Sequence, residues 1–264
     1  MKTQIYSMDA KPLRELTLPA QFEQAVNEQL IYRAVLSDYS SQYQPKGSYV
    51  WAGMETSAKY KGRKEDFGSA KNHGIAMLPR EVLAKGRFGK VRRIPSSVKG
   101  RRAHPPHVEK RLYEAVNKKE YAKALLCALS ASAQKVLVQK RGHKFADTLS
   151  VPPVLERKCE ELSKTKQIAS LFSMLGMQED LNRATRRKVR TGLGGTRRGG
   201  VRTPCSVLLV APKGSKILKA SRNICGVDAV STQKLRCCLL APGTHAGRLT
   251  VFTEGAIEEI AKMQ

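Results

Sequence analysis

Apolar positions recur with a clear period at both ends of the chain and lose it in between. Near the start, Leu30, Ile31, Ala34, Val35 and Tyr39 fall on one face of a helix. After residue 106 the pattern returns. Tyr121, Leu125, Ala128 and Leu129 form a helical stripe that Asn117 and Glu120 are placed to cap, and Ile168, Leu171, Phe172 and Leu175 form another that ends at Gly176. Four short apolar runs follow, SVLLVAP, VDAV, CCLLAP and RLTVFT, each reading as a buried parallel strand. A helical pattern through Ile217, Leu218 and Ile224 separates the first two, and a helix with Ile257 and Ile260 follows the last. Strand and helix alternating in this way predict an α/β layered globular domain with a mostly parallel sheet.

The middle of the chain, from Pro45 to about Pro106, has no apolar period and is punctuated by glycines. Within it Arg80, Lys85, Arg87, Lys90, Arg92, Arg93, Lys99, Arg101 and Arg102 stand against the single acid Glu81. Such a segment buries too little apolar surface to offset its ordering entropy, so it is expected to order only on a partner. The predicted organisation is a body made of residues 1–45 and 103–264, interrupted by a basic arm at 46–102 that is disordered without RNA. Tyr49 and Trp51 are expected to anchor the base of the arm by packing on the body.

Charge identifies the kind of partner. The 264 residues contain 48 Lys and Arg against 22 Asp and Glu, a net charge of +26 that calls for a polyanion. Membrane is the poorest candidate, because the longest apolar run, residues 124–129, is far too short to span one. The first residues also lack the apolar stretch of a secretory signal, which points to the cytoplasm. The six cysteines, Cys127, Cys159, Cys205, Cys225, Cys237 and Cys238, form no C-x-x-C pair and read as small buried hydrophobes. Cys237 and Cys238 are expected on opposite faces of a strand. No metal or cofactor site emerges: His104 and His107 are separated by two prolines, so no helix presents them together.

A second basic block precedes the strand SVLLV and carries Arg183, Arg186, Arg187, Lys188, Arg190, Arg197, Arg198 and Arg202 without an acid. Its glycines suggest a phosphate-cradling loop, but a dinucleotide fingerprint follows a strand and opens a helix, whereas this block does neither. Close approach of backbone to RNA, with arginines forking onto phosphates, fits the position better.

Taken in order, the AGMETSA turn, the basic VRRIPSSVKGRRAHPP, the RGHKF element, the loop before SVLLV and the final LAPGTHAGRLTVFTEGAIEEIA resemble ribosomal protein number four of the large subunit, in its archaeal and eukaryotic form. The resemblance covers nearly the whole chain. It implies a structural rather than catalytic protein in the large ribosomal subunit, an early role in assembly, and a long extended RNA-penetrating loop reaching the wall of the nascent-peptide exit tunnel. Its implied partners are large-subunit ribosomal RNA, other large-subunit ribosomal proteins and the nascent polypeptide near the tip of the arm.

Carried over by position, Arg92, Arg93, Lys99, Gly100, Arg101, Arg102 and His104 match the returning half of the extension, and Phe67, Gly68 and Ser69 its outer part. Where the family shows a G-x-G-R-G-like string, this chain reads FGSAKNHGIAMLPR, after an insertion around Lys59 to Asp66 that holds Glu65 and Asp66. The tunnel-facing stretch is therefore expected between Gly68 and Arg80, including Lys71, Asn72 and His73. The competing functions are an RNA-directed nucleotide-binding enzyme and a free regulatory RNA-binding protein.

Overall fold

A computed structural model describes residues 1–196 and 198–262. The chain divides into two compact units, Met1–Gln42 with Tyr113–Gln264, and Tyr43–Leu112.

In chain order the first unit, the body, opens with strands β1 (Lys2–Tyr6) and β2 (Pro12–Thr17) and helix α1 (Glu28–Ser40). The second unit holds the hairpin β3 (Arg80–Val82) and β4 (Phe88–Val91). The body resumes with α2 (Lys118–Ala133), α3 (Lys135–Lys140), β5 (Val154–Leu155), α4 (Thr165–Met174) and α5 (Gln178–Thr185). A short ribbon, β6 (Lys188–Val189) and β7 (Val201–Arg202), precedes β8 (Leu208–Ala211), α6 (Lys216–Ser221) and β9 (Asp228–Ser231). The chain then forms α7 (Cys237–Leu240), β10 (Thr250–Thr253) and α8 (Glu254–Ala261).

The body is built on a six-stranded sheet in the order β2-β1-β5-β10-β8-β9, parallel except for the antiparallel edge strand β2. Successive side chains of a strand point to opposite faces, and the register carries that alternation across the sheet. Ile5, Val154, Phe252, Val210 and Leu208 share one face and pack with Ile31, Ala34 and Val35 of α1, Ala124, Ala128 and Leu129 of α2, and Ile257 and Ile260 of α8. Tyr6, Leu155, Val251, Leu209 and Ala211 share the other, with Ile168, Leu171 and Phe172 of α4 and Ile217 and Leu218 of α6. Each of these large side chains contributes roughly 1.5–3 kcal/mol on burial. The expected α/β layered domain with a mostly parallel sheet is therefore the observed one. The outer strand β2 is nearly all exposed and carries Arg14 and Glu15, charges that blunt a sheet edge.

Several expected elements differ. CCLLAP is not a strand: residues 237–240 form α7, and Cys237 and Cys238 are both buried in the same cluster. Two side chains from other helices satisfy the free N–H groups at its start. The Cys238 N–H donates to Asp38 Oδ2 at 3.0 Å, and the Cys237 N–H reaches the Tyr121 hydroxyl, which itself donates to Asp38 at 2.9 Å. Asn117 precedes α2 without a side-chain capping bond, and Glu120 turns to Arg33 of α1 at 3.7 Å instead. Ile224 lies beyond α6, which ends at Ser221. Cys205 is exposed and Cys225 half-buried, so only four of the six cysteines are the buried hydrophobes expected.

The unit Tyr43–Leu112 is organised differently. Its buried residues are Ala58, Ser69 and Ala70, and none of its residues joins either hydrophobic cluster of the body. Backbone hydrogen bonds and glycines hold it instead. Gly53, at φ +77°, lies so close to Gly100 and Arg101 that a Cβ would sit 2.5 Å from the Arg101 nitrogen, and a Cβ on Gly100 would strike the Ile94 carbonyl. The AGMETSA and KGRRAHPP strings thus meet backbone to backbone. Within this unit Tyr49 and Trp51 lie outside the buried set, and the Tyr49 hydroxyl donates to the Glu55 carboxylate.

Candidate nucleic-acid interface

The basic residues of the second unit fall into two groups. In the first, the charge is used to build the unit. Arg92 donates through Nε to Glu81 at 2.9 Å and through Nη1 to the Val98 carbonyl, which locks the β3–β4 hairpin to the chain that follows it. Arg80 donates to the Ala76 carbonyl, and Arg93, at φ +73°, reaches the Met54 carbonyl. Ser69 is buried, its hydroxyl accepting from the Lys71 N–H, and Gly68 sits beside it at φ +72°.

The second group is exposed and makes no ion pair among the described residues: Lys71, Lys85, Arg87, Lys90, Lys99, Arg101 and Arg102, with Asn72, His73 and His104 also exposed. Asn72, Lys85 and Lys99 adopt positive φ, a conformation that costs a non-glycine residue about 1–2 kcal/mol. Each sits at a turn, where the reversal of the chain sets the backbone angle. The His73 ring packs edge-on against Phe88, with centroids 5.7 Å apart.

The second basic block leaves α5 and forms the β6–β7 ribbon, with Lys188 opposite Arg202 and Val189 opposite Val201. The Arg190 N–H donates to the Gly200 carbonyl, and Gly200, at φ +67°, packs so closely on the Gly195 carbonyl that a side chain there would clash. These glycines close the ribbon's loop. Arg186, Arg187, Lys188 and Arg202 are exposed and Arg190 half-buried. Arg197 lies outside the described residues, and Arg198 is placed here by its backbone alone, in the turn Arg198–Gly200.

Arg183 is turned inward. Its Nε donates to Asp180 at 3.0 Å and its Nη2 to the Cys205 carbonyl at 2.8 Å. Asp180 is fully buried and also accepts from His143 Nδ1, the Lys144 N–H and the Ser206 hydroxyl. Burial alone would raise its pKa, but the bonds from His143, Arg183 and Ser206 together hold the carboxyl well below the usual carboxylate range. His143 is shifted down: burial and the nearby Arg141 and Arg183 outweigh the attraction of Asp180 and favour the neutral ring.

This network underlies a cleft of about 1010 Å³ on the body. Lys140, Arg141 and His143 line it from the end of α3, Lys188 and Arg202 from the ribbon, Thr203, Pro204 and Cys205 from the approach to β8, and residues 242–246 from the turn before β10. These segments precede β5, β8 and β10, so the cleft lies at the amino ends of the parallel strands. At the carboxyl ends, a cavity of about 560 Å³ is lined by Glu156, Glu161 and Glu254 with Arg14, Arg157 and Lys158. Arg14 is already paired with Glu254.

Sequence reading did not single out Lys140, Arg141 or His245 as contributors to a common cleft. The signals present were the RGHKF and PGTHAG strings, which are about 100 residues apart and meet only through the fold. Arg248, in the GRLTVFT string, is 1% exposed. It donates to the Ser206 and Leu239 carbonyls, both at 2.9 Å, and to Asp228, joining β10 to β8, α7 and β9.

The sequence model of the ribosomal protein L4/L1 family matches residues 16–263. The large ribosomal subunit protein uL4 of Methanocaldococcus jannaschii is 42% identical over 98% of this chain and 98% of its own length. The uL4 protein of Methanococcus aeolicus is also 42% identical, over 99% of each chain, and that of Methanoculleus marisnigri 42% over 98% of this one. With the match running through both units and both basic blocks, the chain belongs to the ribosomal protein L4/L1 family.

Proposed function

We propose that this chain is a structural constituent of the large ribosomal subunit that binds large-subunit ribosomal RNA, aids its assembly, and lines part of the nascent-peptide exit tunnel with residues of its 46–102 arm. The observation that carries this reading is the second unit itself: it has no apolar cluster of its own, yet displays exposed cations along its length. Polyanionic RNA supplies what such a unit lacks, because phosphates neutralise the cations and counterion release offsets the cost of ordering. The exposed residues of the ribbon give the body its own RNA contacts. The stretch from Gly68 to Arg80 is the tunnel-facing part, and the exposed Glu65 and Asp66 face a neighbouring protein or an ion. The role is architectural: the body docks on the RNA surface, and the arm ties RNA segments together.

The competing enzyme reading places a nucleotide at the carboxyl ends of the parallel strands. There Glu156, Glu161 and Glu254 are matched by Arg14, Arg157 and Lys158, with Arg14 and Lys158 already paired to Glu254 and Glu156, so the lining holds no excess of positive charge for a phosphate. A regulatory RNA binder would instead be found mainly away from ribosomes.

Sedimentation tests the assignment. The chain is expected to travel with large subunits and remain bound through moderate salt; a mostly ribosome-free pool overturns the proposal. Replacing the exposed Arg101 and Arg102 by Gln is expected to flatten the slope of log K against log salt for RNA binding by ~0.7–0.9 for each phosphate that is no longer neutralised. Arg92→Gln is expected to loosen the hairpin more than it changes that slope, because Arg92 is paired with Glu81.

A further inference from the structure

The cleft at the amino ends of the strands has an excess of positive charge that the fold does not balance. Arg141 donates through Nη2 to the Pro242 carbonyl at 2.6 Å, while its Nη1 is buried without a hydrogen-bond partner among the described residues. Burying such a nitrogen unpaired is unfavourable, the more so when it is charged, because its hydration is lost with no partner gained. Burial and the neighbouring Arg248 push the Arg141 pKa down to about 10, the direction expected of a cation crowded by cations.

The ribbon gives a second, independent observation. Lys188 and Arg202 stand directly opposite each other in the β6–β7 register, and both line the cleft. Like charges in facing positions of an antiparallel pair destabilise it. An anion seated between the ribbon and Arg141 removes both penalties. Glu28 is the one carboxylate on the cleft's described lining, and it forms no ion pair with these residues.

We propose that this cleft is an RNA-phosphate site of the body, in which Arg141, Lys188 and Arg202 hold backbone phosphate while Pro204, Pro242 and His245 face the attached nucleoside. At about 1010 Å³ the space exceeds what a phosphate alone fills, and its mixture of cations with proline and histidine suits a nucleotide better than a bare anion. Its position beside the second basic block makes it continuous with that exposed basic surface. The inference rests on the reading that the chain binds ribosomal RNA, and it adds a site within the body that is separate from the 46–102 arm.

The test uses the full chain and large-subunit ribosomal RNA. Lys188→Gln with Arg202→Gln changes two exposed side chains, so the fold is expected to persist, and the salt slope of binding is expected to fall by ~0.7–0.9 for each phosphate that the pair neutralises. Arg141→Gln is expected to weaken binding and Arg141→Lys to restore part of it. Hydrogen exchange on the wild-type complex should show RNA-dependent protection at residues 202–205 and 242–246.

If RNA binds the double variant with the wild-type slope and those segments stay unprotected, the cleft is not an RNA site. If inorganic phosphate alone stabilises the protein through Arg141 while RNA leaves the cleft unprotected, a free anion is the occupant and the proposal likewise fails. Absence of any binding between the wild-type chain and ribosomal RNA instead overturns the functional reading on which the proposal rests.

Discussion

Asp180 shows how one buried carboxylate can organise the wall of a basic cleft. It accepts from His143, Lys144, Arg183 and Ser206, joining the RGHKF segment to α5 and to the approach of β8. Asp180→Ala leaves these donors without their acceptor and is expected to cost roughly 3–5 kcal/mol, measured by urea unfolding. The same network sets a pH dependence. The depressed pKa of His143 favours the folded state above its unfolded value of ~6.5, and this contribution is lost as pH falls from there toward the folded value. The depressed pKa of Asp180 adds stability above ~3.9 that is lost on further acidification. Stability is therefore expected to decline as pH falls from neutral to below the ordinary histidine value of ~6.5, and His143→Gln should flatten that first part of the decline. A urea midpoint of the wild type that is constant between these pH values would show that His143 does not carry it.

At the scale of elements, α7 demonstrates how side chains from distant helices choose the local structure. A run of Cys, Cys, Leu and Leu between Arg236 and Ala241-Pro242 satisfies the pattern of a buried strand as well as that of a helical turn. Asp38 of α1 and Tyr121 of α2 decide it by bonding the N–H groups at its start, 200 and 116 residues away in sequence. Asp38→Ala is expected to destabilise the body by about 1–3 kcal/mol, with faster amide exchange at Cys237 and Cys238. If exchange there is unchanged, the packing of Leu240 and Cys237 on the sheet holds α7 without the cap. By contrast, α4 and α8 were legible from their apolar stripes, since each buries one face against the sheet, and Gly176 marked the end of α4; the Thr253 cap that starts α8 emerges only with the fold.

Across the whole molecule, the two units use their residues in opposite ways. Both hydrophobic clusters draw on residues before 43 and after 112, so the body has its full core without the intervening segment. Deleting Tyr60 to Lys90 and closing the gap with a short flexible linker is expected to leave a body that unfolds cooperatively and still enters large subunits through its own basic surface. RNA around the exit tunnel should become more accessible to chemical probes, while peptide-bond formation continues. Loss of cooperative unfolding would show that the deleted segment supports the core.

Local sequence was enough to establish that a layered α/β body exists, because the period of apolar residues requires only that one face of each element be buried. It was also enough to establish the need for a polyanion, since a charge of +26 is fixed by composition. The short strands β1, β2 and β5 were not legible: β2 is a solvated edge and β5 has only two residues, too few to show alternation. Nor could the sequence separate arginines that face solvent from those that build the fold. Arg101 and Arg248 are the same residue type, each following a glycine, yet one is exposed and the other buried on two carbonyls and Asp228. That distinction arises with the tertiary fold, because a guanidinium's role depends on whether its acceptors are brought to it from elsewhere in the chain, and the neighbouring residues carry no record of them.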